Sequence, residues 1–444
     1  MEKAILLALD GFSWNLINEL IENNKMKNLQ SIINTGVSSK LIAEGFLSSP
    51  KIFCSIFTGK TPEKHGIRDF YSKEKDLKSD QIWDILNNKG FRIGLYRPLS
   101  IWNAKHFDGF CIPNPLLLKK TTYPEELAFI GELDKKARSE KYSLKFLIKT
   151  FWNLIKFQFS LIPLFRIIKR GVLLFFKKGL QERMHLLKEI ELLIHTNLYY
   201  KLLKKYSLDF SVFFDYSFDT LSHIYWREKG EKSKYSDILP KAYHIIDRFV
   251  GKVDKFARKH NYYLIICSDH GFENIKREER QDFRSINILY LLRELNYYYD
   301  VYGVYMTGKV VFRIRPNSSI SIESFKRALE SLNSEDQPLF SIKAYTNKLI
   351  VRINDEIRFD PTLKVSFPDG KKLRMDSIID FHPGHTGTHS ENNGVFIIKG
   401  PKIKKGAAIG KITPYDVAPT VLKFLEIDIP PDMDGHVLKE IFHN

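Results

Sequence analysis

"AILLALD", residues 4–10, decides how the rest of the chain is read. Six apolar residues run without a break and end in an acid, the pattern of a strand buried on both faces rather than of one with a wet side. The pattern returns in "FRIGLYR" (91–97), "FSVFFDY" (210–216), "YYLIICSD" (262–269) and "GVFIIKG" (394–400), with helical stretches between. These runs predict an α/β protein with a mostly parallel central sheet and helices on either side. Two segments interrupt it. The first, about 115–205, is basic and helical; the second, about 277–380, carries shorter strands such as "GKVVFRIRP" and "KLIVRIND" and one helix, "SIESFKRALESLN". The expected division is core at 1–114, 206–276 and 381–444, with a basic helical insertion at 115–205 and a smaller α+β insertion at 277–380, the inserts forming a cap. No repeat or low-complexity tract is evident.

At 444 residues and 43% hydrophobic, the chain can bury a large core. Cys54, Cys111 and Cys267 are too few and too dispersed for a disulfide framework, and none has metal-ligand spacing. A reducing, cytoplasmic setting is therefore expected. Ala4 to Asp10 is too short for a secretory leader and reads as a first strand. The net charge of +17 is uneven: between Leu117 and Leu208 nineteen Lys/Arg face eight Asp/Glu, so one fifth of the chain holds most of the excess.

Three of the strand-like runs finish in or near an acid. Asp10 ends the first, Asp269 the fourth, and "DYSFDTLSH" follows the third. In an open α/β sheet ligands bind beyond the carboxyl ends of the strands, so acids gathered there face one crevice. Asp219 and His223 stand four apart, one helical turn on one face. Asp269 and His270 are adjacent in "SDHGF", and "FHPGHTGTHSENNGVFIIKG" adds His382, His385 and His389. Each has a bland explanation when taken singly: Asp-Gly is usually a turn, and Asp-x-x-x-His is usually a surface pair. Those explanations weaken when all must hold together.

Between the first two strands lies "FLSSPKIFCSIFTGKTPEKHGIRDF" (46–70). Ser48 and Ser49 read as an N-cap pair, Pro50 suits the first turn, and "KIFCSIF" is a short helix ended at Gly59.

The ordered set "LALDGF", "SSPKIFCSIFTGKTPEKHGI", "DTLSHIYW", "IICSDHGF", "GTHSENNGVFIIKGP" and "YDVAPTVLKFLEIDIPPDMDGHVL" resembles the alkaline phosphatase superfamily, within it the type I phosphodiesterase/nucleotide pyrophosphatase group and its phosphohydrolase/phosphomutase-like members. The resemblance covers residues 1–100, 205–280 and 385–440. It implies an alkaline-phosphatase-like sandwich and a two-metal site. Asp219, His223 and His389 would surround one ion; Asp10, Asp269, His270 and the nucleophile hydroxyl would hold the other. Counting back from the Thr-Gly turn puts the nucleophile at Ser49, with Ser48 a one-residue alternative. The ions it implies are zinc, with manganese chemically admissible. A serine so placed would attack phosphorus in line and form a phosphoserine later released by water, and a helix N-terminus suits the anion.

The chain also departs from the group. Nucleotide-cleaving members carry Thr-Phe-Pro-Asn at the nucleophile and an Asn after the "HGI" turn. Here the residues are Ser-Pro-Lys-Ile and Phe70, which speaks against nucleotide pyrophosphatase activity. Lys51 or Arg68 could supply positive charge to the phosphate instead, and His65 reads as structural. A sulfatase needs an arginine where Ile52 stands. The expected substrate is a phosphodiester or phosphomonoester, lipid- or glycan-linked; phosphotransfer, mutase chemistry and a non-catalytic surface-binding protein are the rivals.

From Lys141 to Gly179 there are nine basic residues and no acidic one. Lys141, Lys145, Lys149 and Lys156 against Phe146, Phe151, Trp152, Ile155 and Phe159 form the pattern of an interfacial helix, so peripheral contact at the inner face of a membrane is one reading and a helical cap with solvated lysines the other. The longest uncharged run, Phe157 to Phe165, is far short of the ~20 residues of a spanning helix. Nucleic acid is disfavoured, since the aromatics are not arrayed for stacking. Oligomeric state is not legible.

Overall fold

The computed structural model describes residues 2–45, 47–70, 72–114, 122–132, 152–153, 161–176, 180–226, 235–274, 283–306, 309–315, 318–354, 356–357, 360, 362–382 and 386–443. Two compact units divide the chain: Met1–Asn274 together with Thr386–Asn444, and Ile275–His385.

The strands of the first unit are β1 (Lys3–Leu9), β2 (Val37–Leu41), β3 (Ile93–Tyr96), β4 (Gly109–Ile112), β5 (Phe210–Asp215), β6 (Tyr262–Cys267), β7 (Gly271–Asn274), β8 (Gly387–Ser390), β9 (Gly394–Lys399) and β10 (Ala407–Ala408). Eight of them form one sheet in the order β10-β2-β9-β6-β1-β5-β3-β4, while β7 and β8 pair separately. Strand β1 runs parallel to β5 on one side, with Leu9 opposite Asp215, and parallel to β6 on the other, with Ala8 opposite Cys267. Only β9 runs against its neighbours, β2 and β6. The fold is thus the mostly parallel α/β sandwich that the apolar runs predict.

The unbroken hydrophobicity of these runs has a direct cause: both faces of the sheet are covered. Ile5, Leu7 and Leu9 join a cluster with Phe12, Phe213, Leu264 and Ile266. Ala4, Leu6 and Ala8 point the other way, into a cluster with Val212, Phe214, Ile265 and Cys267. Alternate side chains fill opposite cores.

The helices that matter for the site are α1 (Ser49–Thr58), α2 (Leu161–Phe176), α3 (Leu180–Lys205), α4 (Ser217–Tyr225) and α5 (Ile238–His260). Helix α1 is held by its apolar side, where the Phe53 ring meets Phe214 of β5 edge-on with centroids 5.0 Å apart. Glycine at 59, with φ 66°, ends it in the left-handed conformation. Helix α3 buries Leu192, Leu198, Tyr199 and Leu202 beside Tyr243, Ile246 and Phe249 of α5. The described end of the basic segment therefore belongs to the core of the first unit. Lys141, Lys145, Phe146, Lys149, Phe151, Ile155, Lys156 and Phe159 lie outside the described residues; Trp152 is described and is 62% exposed. Among the described residues no helix is long and apolar enough to cross a membrane.

The second unit has its own antiparallel sheet, in the order Phe340–Tyr345, Lys348–Ile353, Lys309–Ile314, Val301–Met306. The helix Ile322–Glu330 buries Phe325 and Leu329 against Phe312, Leu349 and Val351.

Because Phe53 is fully buried and anchors α1 to the sheet, Phe53→Ala is expected to lower the unfolding free energy by about 3–5 kcal/mol. Urea denaturation should show a lower midpoint at unchanged slope.

Candidate metal and nucleophile site

Adjacent strands β6, β1 and β5 release their carboxyl ends side by side. Asp10 follows β1, Asp269 and His270 follow β6, and β5 leads into α4, which sets Asp219 and His223 one turn apart. Hydrogen bonds tie the three ends together: Asp10 N–H donates to Asp215 O (2.9 Å), Asp219 N–H donates to Asp10 O (3.1 Å), and Gly11 N–H donates to Asp269 Oδ1 (3.2 Å). Gly11 makes this approach possible. Its φ is +70°, and a Cβ there would stand 2.8 Å from Asp219 Cα and from Phe272 Cε2. At Gly271 the constraint is space rather than backbone freedom, because a Cβ would lie 2.5 Å from Asn393. The pairing of β7 with β8 sets His389 opposite Phe272 and so delivers the last imidazole.

Two groups of ligand-type atoms result, Asp10–Asp269–His270 and Asp219–His223–His389, each with its atoms within 4.8 Å of one another. The first group is buried. His270 Nε2 lies 3.2 Å from Asp269 Oδ2, 3.6 Å from Asp10 Oδ1 and 3.9 Å from Asp219 Oδ1. The second group is half-open: His389 Nε2 is 3.1 Å from Asp219 Oδ1 and 2.9 Å from His223 Nε2, and these side chains keep about a quarter of their surface exposed.

Electrostatics separate the carboxylates. Burial and then the charges of Asp269 and Asp219 push Asp10 well above the usual carboxyl range. Burial alone would raise Asp219 too, but the facing His223 and His389 outweigh it and hold Asp219 well below. Burial would lower His223, and Asp219 raises it instead. His270 is pushed down by burial despite its acidic neighbours.

The residues fit divalent cations. His270 Nδ1 faces the Gly271 carbonyl at 3.1 Å, and a carbonyl only accepts, so Nδ1 carries the proton. In the neutral ring Nε2 is then a bare lone pair aimed at carboxylate oxygens. That contact repels unless a cation or a carboxyl proton lies between. Accordingly His270 Nε2 and Asp269 Oδ2 are buried with no hydrogen-bond partner, an arrangement that costs about 1–3 kcal/mol per atom when nothing compensates. His223 repeats the device, its Nδ1 facing the Gly387 carbonyl at 3.2 Å and its Nε2 turned to Asp219 and His389.

Ser49 lies at the edge of the buried group. It is the first residue of α1, 4% exposed, and its Oγ donates to Asp10 Oδ1 at 3.1 Å. Ser48 takes the N-cap position with extended backbone, yet its side chain makes no capping bond. The first helical bond is Ile52 N–H to Ser48 O, so the N–H groups before it have no carbonyl one turn back. The turn after α1 is clasped by the C-terminal motif: Gly59 O accepts from Asp434 N–H and Gly435 N–H, and Asp434 accepts from Thr61 N–H.

His65 sits inside this turn. Its Nδ1 accepts from Ile67 N–H at 3.1 Å, so Nε2 carries the proton and donates to Ser55 Oγ at 3.0 Å. A second proton would set two donors against each other, and burial pushes the imidazole down to about 4.

Other candidates fall elsewhere. Lys51 is half-buried, with burial lowering its ammonium while Glu63 and Glu391 act the other way. Arg68 is exposed. Among the described residues no hydrogen bond or ion pair ties either side chain to Ser49 or the ligand groups. Phe70 is 51% exposed. His382 is in the strand Ile379–His382 of the second unit, and His385 lies outside the described residues.

Sequence reasoning missed the orienting groups. Carbonyls of Gly387 and Gly271 are backbone and carry no residue signature. Phe272, whose ring lies 4.9 Å from His223, 5.6 Å from His270 and 5.3 Å from His389, was visible as the aromatic closing "SDHGF".

The profile of the type I phosphodiesterase / nucleotide pyrophosphatase family matches residues 4–361. No sequence among curated proteins matches the chain. Among solved structures, murine ectonucleotide pyrophosphatase / phosphodiesterase 5 is similar at 12% identity and TM-score 0.47, over 100% of each chain. Its inactive variant in complex with AMP is similar at 12% identity and TM-score 0.49, again over 100% of each chain.

Two measurements follow from this geometry. A dication at a hundredfold excess over its dissociation constant should stabilise the protein by about 2.7 kcal/mol, read as a higher thermal midpoint, and His270→Ala should shrink that gain. His65 contributes stability that is complete above about pH 6.5, where the unfolded chain is also neutral. Below that the unfolded state takes up a proton that the native state refuses until about pH 4. Between pH 6.5 and pH 5 the loss should reach about 2 kcal/mol. Urea midpoints across that range should fall less in His65→Gln than in the parent chain.

Proposed function

The chain belongs to the type I phosphodiesterase / nucleotide pyrophosphatase family, and from that premise we propose that it is a metal-dependent phosphohydrolase that cleaves phosphate esters through a phosphoserine at Ser49. The observation that carries this reading is the bond from Ser49 Oγ to Asp10 Oδ1 at 3.1 Å, at the rim of two cation-ready groups.

Asp10, Asp269, His270 and the Ser49 hydroxyl would hold one ion; Asp219, His223 and His389 would hold the other. Mixed nitrogen and carboxylate donors suit zinc, with manganese second. Two such ions supply Lewis acidity that favours the serine alkoxide and neutralises charge on the phosphoryl oxygens.

The protein's own groups do the rest. Asp10 orients Oγ, and burial of α1 keeps the serine in one place. The N–H dipoles at the start of α1 favour an anion beside the hydroxyl. Attack by Oγ forms the Ser49–phosphorus bond and breaks the ester bond to the leaving oxygen; water then releases phosphate or a phosphomonoester and restores the hydroxyl. The half-open Asp219–His223–His389 side gives substrate and water their approach. Cys54, Cys111 and Cys267 are buried free thiols, which supports a reducing, cytoplasmic setting.

With zinc or manganese present, hydrolysis of bis-p-nitrophenyl phosphate or p-nitrophenyl phosphate should fall about 10³-fold or more in Ser49→Ala. Ser48→Ala should keep most of it. Turnover that survives in Ser49→Ala removes the proposed nucleophile, and release of a phosphorylated acceptor alcohol in place of phosphate marks a transferase.

A further inference from the structure

The phosphohydrolase reading makes no use of α2, and its outward face has a composition that hydrolysis does not require. Phe165 is 69% exposed and Ile168 47%, with Arg166 and Lys169 exposed beside them. At about 100° per residue, Ile168, Phe165, Lys169 and Arg166 span one continuous arc of the helix. Ile167 points the opposite way and packs on the core of the first unit. Arg170, at the flank, is held by Glu189 of α3 through two bonds of 2.8 Å. So Ile167 and Arg170 fix α2 to the protein, and the exposed side chains described on the other arc are half apolar and half basic.

From this arrangement we infer that the exposed face of α2 is a docking surface for an anionic lipid bilayer. Charge selects that occupant. The stretch from Lys141 to Gly179 holds nine basic residues and no acid, so a second copy meeting this face through itself would set Arg166 and Lys169 against like charges. Exposed apolar side chains flanked by cations match the boundary between lipid headgroups and acyl chains, where Phe165 and Ile168 leave water while Arg166 and Lys169 stay with the anionic headgroups. A nucleic acid would meet the cations but give an aliphatic Ile168 no partner. The contact is peripheral, since no described helix can span a bilayer.

Co-sedimentation of the full chain with vesicles tests this directly. The protein should pellet with phosphatidylcholine vesicles doped with phosphatidylserine and stay in solution with phosphatidylcholine alone. Added salt should weaken the binding. Replacing both apolar residues, Phe165→Asp with Ile168→Asp, should cut the bound fraction at least tenfold, and so should Arg166→Glu with Lys169→Glu. All four positions are exposed, so thermal midpoint and hydrolysis of p-nitrophenyl phosphate should be unchanged. That separates failure of docking from failure of the catalytic reading. The inference is overturned if the parent chain ignores anionic vesicles, if both double variants bind as the parent does, or if light scattering shows a dimer that the same substitutions dissolve.

Discussion

Three carboxylates share one imidazole: Asp10, Asp219 and Asp269 stand 3.6, 3.9 and 3.2 Å from His270 Nε2, mostly out of contact with water. Like charges so close disfavour the compact state, and together with burial, the larger cause, they raise the Asp10 carboxyl. A neutral His270 gives no relief, because the proton it keeps is on the other nitrogen. A cation between these atoms would offset the repulsion. Much else in the first unit holds this cluster together.

The holding is done by the sheet and its backbone. Parallel registers of β1 with β5 and β6 bring the three strand ends to one level. Bonds among the backbones of Asp10, Asp215 and Asp219 then lock the turns. Filled cores on both faces resist the strand shifts by which the carboxylates could part. The repulsion is thus opposed by packing spread over the whole sheet, while each side chain needs only small local bonds to point inward. His223 and His270 are each oriented by a backbone carbonyl, so their tautomers do not depend on other titrating groups.

The same logic places Ser49. Helix α1 is anchored at its apolar side by Phe53 and beyond its end by the C-terminal clasp on the Gly59 turn, through Asp434 and Gly435. His65 braces that turn as a neutral ring, which excludes it from proton transfer at the site. Ser49 and the clustered acids and imidazoles therefore sit on separately anchored pieces that meet at Asp10.

Much of this was legible in the sequence. Continuous apolar runs ending in acids announced a doubly covered parallel sheet, and i,i+4 spacing placed Asp219 and His223 on one helix face. The ordered motifs contain every residue of the two clusters. What the sequence could not show is that Ser49, rather than Ser48, turns its oxygen to Asp10, because a one-residue step along the start of a helix swings a side chain by about 100°. Nor could it show which nitrogen of each imidazole is left bare, since that depends on the carbonyls of Gly271 and Gly387, atoms every residue possesses. Local periodicity is written in side chains and is read along the chain. Convergence of atoms more than 200 residues apart, and the direction each one faces, is set by strand register and backbone hydrogen bonds, which only the folded chain possesses.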